Sequence, residues 1–374
     1  MIHGGDFYGL EDEKKNQLMD FSANISPLGI PESVKTAMVL AMTQAVHYPD
    51  PKSRRLKGLL AKKHKVLQEQ IICGNGAADI IYRLIFAVRP RKALVVHPNF
   101  VEYEEAMAVV DTELIDYPLN HKDFKIREDI CDLITEDIDL IFICNPNNPT
   151  GAVYPREILE QIVQIARENE LIIFSDEIYD RLVMDGYEHT SIASMAPDVF
   201  CVTFSGLSKS HMIAGFRIGW MILSGAKNRA RGYIEGLNML SSMRLCSNVP
   251  AQSIVQTALG GYQSVNEYIQ PGGRVYEQRD YVYKALTNIP GITAVKPKAA
   301  FYIFPKIDTE KFNIHDDEQF ALDFLHEKQV LLVPGKGFNW NRPDHFRVVY
   351  LPNVLQLEKA VTKLRDFLST YRQQ

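Results

Sequence analysis

The sequence predicts an α/β protein, with a mostly parallel sheet flanked by helices in one large domain and a smaller α+β domain after it. Three observations carry this prediction. Between about residues 70 and 225, short apolar runs alternate with segments of helical period, the pattern of parallel strands joined by helices. The runs are continuous rather than alternating, as expected of strands covered on both faces. From residue 263 the pattern changes to a long polar helix, two shorter strands and a final amphipathic helix.

Taken in order, the strand runs are IIC (71–73), ALVVH (93–97), DLIFIC (139–144), LIIFS (171–175) and VFCVTF (199–204). The clearest helix comes after Pro155, where Ile158, Leu159, Ile162, Val163 and Ala166 fall on one face and proline suits the first turn. In the last third, AAFYIFP (299–305) and HFRVVYL (345–351) read as strands. We divide the chain into an N-terminal segment joining the small domain (1–29), a large cofactor-binding domain (30–262) and a small C-terminal domain (263–374).

Composition narrows the function. The 374 residues are 46% hydrophobic and 23% charged, enough for a well-buried core. With 41 Lys+Arg against 46 Asp+Glu, the net charge of -5 and the lack of a basic run argue against a nucleic-acid partner. No apolar run reaches the length of a membrane span, and the opening MIHGGDFYGL lacks a signal peptide's basic and apolar regions, so a cytoplasmic enzyme is expected. The five cysteines form no C-x-x-C pair, and the ten histidines no H-x-x-x-H or H-E-x-x-H spacing, so no metal is expected. Cys144 and Cys201 read as buried, inert thiols.

In open α/β sheets, ligands bind beyond the carboxyl ends of the strands. The residues just past each run are chemically rich. Gly74-Asn75-Gly76-Ala77-Ala78-Asp79 comes after the first, and Asn145-Pro146-Asn147-Asn148-Pro149-Thr150-Gly151 after the third. Asp176, Glu177 and Tyr179 come after the fourth; Ser208, Lys209 and then Arg217 come after the fifth. Each element alone has a plainer reading. A glycine turn is commonly only a tight turn, a lysine a solvated surface group, and an aspartate after a strand a helix cap. Their joint occurrence in this order points to one site.

NPNNPTG, the SDEIY run, and FSGLSK with GFRIGW after it resemble the signature of fold-type I aminotransferases that use pyridoxal phosphate. The resemblance covers nearly the whole chain and implies a mostly parallel mixed sheet in the large domain. It implies that Lys209 forms the Schiff base with the cofactor aldehyde and that Asp176 pairs with the pyridine nitrogen, keeping the ring an electron sink. Asn148 and Tyr179 would hydrogen-bond the phenolic oxygen. Ser208, Arg217 and the amides of Ala77 and Ala78 would hold the phosphate at a helix N-terminus. Phe100 would stack on the ring, Arg347 would grip the substrate α-carboxylate, and Asn24 would line the substrate side. Tyr48, in HYPDP, would reach the phosphate of a neighbouring subunit, which implies a homodimer. Asp79 stands where the family often has Glu, a change expected to matter little. His211 has no assigned role and is expected at the surface or in a cap.

The two halves resemble different branches. Residues 1 to about 143, with HGGD, DFSANISPLG, YPDP and CGNG, are similar to threonine-phosphate decarboxylases and histidinol-phosphate aminotransferases. From about residue 145, GYIEGLNMLSSMRLCSNVPAQ and FNIHDD are similar to glutamate–pyruvate (alanine) aminotransferases. The favoured expectation is amino transfer between alanine or glutamate and 2-keto acids; the alternative is action on a phosphorylated amino acid. That alternative wants extra basic groups near the N-terminal segment, where only His3, Arg54 and Arg55 stand. A nicotinamide-dependent dehydrogenase fits poorly, because Gly74-x-Gly76-x-x-Asp79 lacks the third glycine of that fingerprint. A non-catalytic binding protein is disfavoured by the intact Lys209/Asp176 pair.

Overall fold

A computed structural model describes residues 17–225, 227–243 and 248–374; His3 and Cys246 lie outside the described residues. The principal sheet has seven strands: β1 (Ile71–Gly74), β2 (Lys92–His97), β3 (Glu113–Pro118), β4 (Leu140–Cys144), β5 (Ile172–Asp176), β6 (Cys201–Gly206) and β7 (Gly219–Ser224). Their order across the sheet is β1-β7-β6-β5-β4-β2-β3. Only β7 runs antiparallel to its neighbours, so the mostly parallel mixed sheet is observed.

The continuous apolar runs are explained by two cores, one on each face. Successive residues alternate between them. Leu94, Val96, Ile141, Ile143 and Ile173 pack with Leu159, Ile162, Val163 and Ala166 of helix α3 (Arg156–Glu168). Ala93, Val95, Leu140, Phe142, Phe174, Val202 and Phe204 pack with Ile80, Ile81 and Leu84 of helix α1 (Gly76–Val88). Each fully buried side chain of this size contributes roughly 1.5–3 kcal/mol, so both faces hold the strands in register.

Two strands carry weak signals in the sequence. β3 is an edge strand with mixed burial, so it has no continuous apolar run. β7 begins at the last two residues of the GFRIGW stretch; its signal is the run Trp220–Leu223 between Gly219 and Ser224.

In the C-terminal third, helix α4 (Arg274–Thr287) is separated from the short helix Val265–Tyr268 by a break containing Gly272 at φ +82°. The long polar helix expected there is therefore two pieces. Strand β8 (Phe346–Val349) pairs antiparallel with both Tyr302–Ile303 and Val333–Pro334. Helix α5 (Val354–Thr370) starts with Asn353 and Gln356 in a reciprocal cap and buries Leu357, Val361, Leu364 and Phe367. Met19–Asp20 pairs with Val330–Leu331, and Val349 donates its amide to the Phe21 carbonyl at 2.8 Å. The segment around residue 20 is thus stitched to the C-terminal elements.

Candidate active site

The strand registers bring the chemistry to one edge. Gly74, Gly219 and Gly206 stand side by side across β1, β7 and β6. Cys144, Asp176 and Phe204 do so across β4, β5 and β6. Loops leaving these ends carry the expected groups.

The glycine turn is shaped by close approach. A Cβ on Gly219 would lie 2.6 Å from the Gly76 carbonyl carbon and 2.8 Å from the Ala77 nitrogen, so β7 can pass under the turn only as glycine. Gly76 has φ +85°, and a Cβ there would lie 2.5 Å from Arg217 Nη2. The guanidinium therefore stands over the first turn of α1, where the helix amides of Ala77 and Ala78 have no acceptor one turn back. Asn75 supplies no side-chain cap. Asp79 turns inward, accepting from the Asn75 amide and from Arg83 Nη2, both at 2.8 Å.

The NPNNPTG loop is held by its own amides. Asn147 donates to the Pro98 carbonyl at 3.1 Å and accepts from the Thr150 hydroxyl at 2.6 Å, while Asn145 Oδ1 accepts from the Tyr154 amide at 3.0 Å. Asn148 is left to face Arg347: Arg347 Nη1 donates to Asn148 Oδ1 at 3.0 Å and Nη2 donates to the Ser22 carbonyl at 2.6 Å. The guanidinium lies 4.6 Å from the Phe338 ring centre and 5.2 Å from that of Tyr302, and the residue is 3% exposed.

Asp176 ends β5, 4% exposed. Its Oδ1 accepts from the Ile178 amide at 3.1 Å and its Oδ2 from the Tyr103 hydroxyl at 2.6 Å. Burial pushes its carboxyl above the usual range, opposed by the Tyr103 hydroxyl, the Ile178 amide and the Lys209 charge. Glu177, its neighbour, faces the other way, bound by the Ser175 and Ser191 hydroxyls, the Ile192 amide and His189. Lys209 comes after β6 in a turn, with Nζ 6.0 Å from the Tyr179 ring centre. Burial first, then the Arg347 charge, lowers its ammonium to about 8, against the pull of Asp176; Arg217 lowers it further. An amine tuned this way is available both as neutral nucleophile and as proton donor near neutral pH. Burial raises the Tyr179 phenol.

Residues 16–364 match the model of the family described as "Aminotransferase class I and II". The chain is 46% identical to glutamate-pyruvate aminotransferase AlaA of Haemophilus influenzae, covering 97% of this chain and 93% of that one. It is 39% identical to an alanine aminotransferase of Mycobacterium tuberculosis over 94% of this chain and 85% of that one. The chain belongs to the class I and II aminotransferases. A crystal structure of an aminotransferase from Escherichia coli superposes with TM-score 0.90 at 43% identity, covering 97% of this chain and 93% of that one. An alanine aminotransferase from Pyrococcus furiosus does so with TM-score 0.85 at 32% identity, covering 96% and 94%. The match to the glutamate-pyruvate enzyme thus runs through the N-terminal half as well.

Within this aminotransferase the structure gathers Lys209, Asp176, Tyr179, Asn148, Arg217, Arg347 and the α1 turn with Ala77 and Ala78 at one sheet edge. Phe100 and Ser208 are half-buried beside them. Among the described residues, the buried polar atoms without a hydrogen-bond partner include Asn24 Oδ1 and Arg347 Nε. Arg347 Nε is a donor and, with the uncapped α1 turn under Arg217, suits an occupant with a carboxylate and a phosphate, while Asn24 Oδ1 is an acceptor and suits an N–H. Tyr48 is different: the residue is 87% exposed, in a surface hollow with Ala45, Val46 and Asn248–Pro250.

Some expectations need correction or addition. His211 is neither a surface group nor a cap. It is half-buried, its Nε2 paired with Gln263 Oε1 at 3.1 Å and its Nδ1 with the Ser210 hydroxyl at 2.8 Å. Burial takes its imidazolium down to about 4, so it is neutral here. Sequence reasoning missed Tyr103; its signal was its place three residues after Phe100, in the first turn of helix α2 (Glu102–Ala108), where the two rings meet edge-on. It also missed Ser22, which acts through its carbonyl. Cys144 and Cys201 are buried as expected, and burial pushes the Cys201 thiol up to about 12. Among the described residues no helix is long and apolar enough to cross a membrane, and no group of three or more His, Cys, Asp or Glu could hold a metal ion.

Proposed function

We propose that this aminotransferase uses pyridoxal phosphate to move an amino group between alanine or glutamate and 2-keto acids. The observation that carries this reading is the convergence of Lys209, Asp176 and Arg347. A lysine with its ammonium at about 8, a buried carboxylate and a buried arginine with a free Nε lie close enough to act on one another electrostatically. When bound, pyridoxal phosphate supplies an aldehyde that exchanges amines and a protonated ring that accepts an electron pair.

The residues have distinct tasks. Lys209 would hold the cofactor and would move the proton at the substrate Cα. Asp176 would pair with the ring nitrogen. Asn148 and Tyr179 would hydrogen-bond the phenolic oxygen, and Phe100 would stack on the ring. Ser208, Arg217 and the Ala77 and Ala78 amides would hold the phosphate, joined by Tyr48 from a second copy in a homodimer. Arg347 grips the substrate carboxylate with Asn148 and Asn24 beside it. The division into 1–29, 30–262 and 263–374 belongs to the same reading, supported by the pairing of Met19–Asp20 with Val330–Leu331, as does a cytoplasmic location.

The small substrate is favoured by where the basic groups stand. Arg54 is exposed and paired with Asp50 at 3.5 Å, and Arg55 is exposed and donates to Gln256 at 3.3 Å. Neither forms a dedicated pocket for a second phosphate, and leaving a phosphate unpaired in a cleft is costly. The relatives named for glutamate, pyruvate and alanine support the same choice. The assay is pyruvate formation from alanine and 2-oxoglutarate with added cofactor, beside histidinol phosphate and threonine phosphate. Faster turnover of either phosphorylated compound would refute the substrate assignment.

A further inference from the structure

We infer that Tyr103 is a positioning residue for this site: its hydroxyl, donated to Asp176 Oδ2, holds that carboxylate as an oriented anion toward the cofactor ring. The inference rests on the proposed role of Asp176. Its geometry is independent of that role. Tyr103 is 1% exposed, and its ring is clamped. It stacks on Phe142 at 4.0 Å between centroids and meets the Phe100 ring edge-on at 5.6 Å. Phe142 in turn packs on Phe174 at 5.7 Å and on Phe204 at 5.8 Å, all three buried on β4, β5 and β6. The clamped ring sets its hydroxyl beside the Cys144 thiol and the Asp176 carboxylate, and it donates to Asp176 Oδ2 at 2.6 Å.

A buried carboxylate without donors neutralises itself by taking a proton. Among the described residues Asp176 has two donors, one on each oxygen: Tyr103 and the Ile178 amide. Each carboxylate oxygen has a second lone pair, which leaves capacity for a ring N–H. The titratable groups acting on Asp176 are Tyr103 from α2, Cys144 from β4, Lys209 from the turn after β6, and Glu177 and Tyr179 from the loop after β5. Lys209 is the cation among these groups, and Tyr103 and the Ile178 amide favour the ionised form of Asp176 by hydrogen bonds of their own. Burial raises the Tyr103 phenol well above its usual value, so it stays a donor throughout the working pH range.

The plainer role for Tyr103 is core packing, and Tyr103→Phe separates the two, since it keeps the ring and removes the hydroxyl. The experiment measures the dissociation constant of pyridoxal phosphate across pH 5–9 for the native chain, Tyr103→Phe, Asp176→Asn and the double variant. A hydrogen bond to a charged group is worth about a tenfold change or more. Tyr103→Phe is expected to weaken cofactor binding by about that factor and to move its acid limb to higher pH. In the Asp176→Asn background it should change neither. Equal effects in both backgrounds, or an unmoved acid limb, would show packing alone and overturn the inference. If Asp176→Asn binds cofactor like the native chain, the role of Asp176 falls and this inference with it. If Asp176→Asn binds weakly but Tyr103→Phe does not, only the inference falls. Should Tyr103→Phe fold poorly, 3-fluorotyrosine at position 103 is the second probe. It keeps the shape and donates more strongly, so the acid limb should move down; a limb moved up or unmoved contradicts the inference.

Discussion

Arg347 Nη1 donates to Asn148 Oδ1 at 3.0 Å, tying strand β8 of the C-terminal elements to the NPNNPTG loop of the principal sheet. With Nη2 on the Ser22 carbonyl, the guanidinium is oriented from both sides before any substrate arrives. A planar fork held this way recognises a carboxylate by shape as well as charge, which an ammonium cannot do. Replacing Arg347 with Lys should raise KM for alanine and lower kcat/KM by about 100-fold, the scale of truncating one partner of a buried charged pair. Steady-state kinetics with alanine and 2-oxoglutarate decide it; a change under threefold would remove Arg347 from the substrate site.

The Lys209 ammonium is lowered by burial and then by the Arg347 charge, to about 8. A lysine attacks a carbonyl only when neutral, so its reactivity rises as pH climbs through that value and then levels off. The rate of cofactor capture by the cofactor-free protein should trace this curve, with its midpoint near 8. Arg347→Met removes a cation that opposes protonation, so its midpoint should lie higher. Stopped-flow absorbance across pH gives both curves. A midpoint at the ordinary lysine value in the native chain, or a lower one in Arg347→Met, would contradict the electrostatics.

Tyr48 is 87% exposed in a single chain, yet the phosphate reading gives it to the site of a second copy. Complementation tests that directly. Tyr48→Ala should bind cofactor weakly and Lys209→Ala should turn over nothing. Co-refolded hybrids contain one site with native Lys209 from one chain and native Tyr48 from the other. Activity should return in the mixture above the sum of the separate variants. No gain in verified hybrids would place Tyr48 outside the site.

Much of this was legible because the signals were local. Strand runs such as LIFIC are covered on both faces, and buried parallel strands have no polar side to show, so the apolar pattern alone marks them. The ends of those runs carry side chains whose order names the family. What stayed hidden depends on tertiary packing. β3 is an edge strand with mixed burial. Ser22 contributes a carbonyl, which every residue has. Tyr103 reads as an ordinary helix aromatic until β5 is seen to place Asp176 over its hydroxyl. His211, next to the lysine turn, is buried by a contact with Gln263 that lies 52 positions away.

The central claim is that Lys209 carries the cofactor. The most direct measurement is borohydride reduction of the cofactor-loaded protein, then proteolysis and mass spectrometry of the labelled peptide. One reduced pyridoxyl group per chain is expected, on Lys209, and none in Lys209→Ala, which should also lose nearly all turnover. A label on another lysine, or full labelling with Lys209 unmodified, would contradict it.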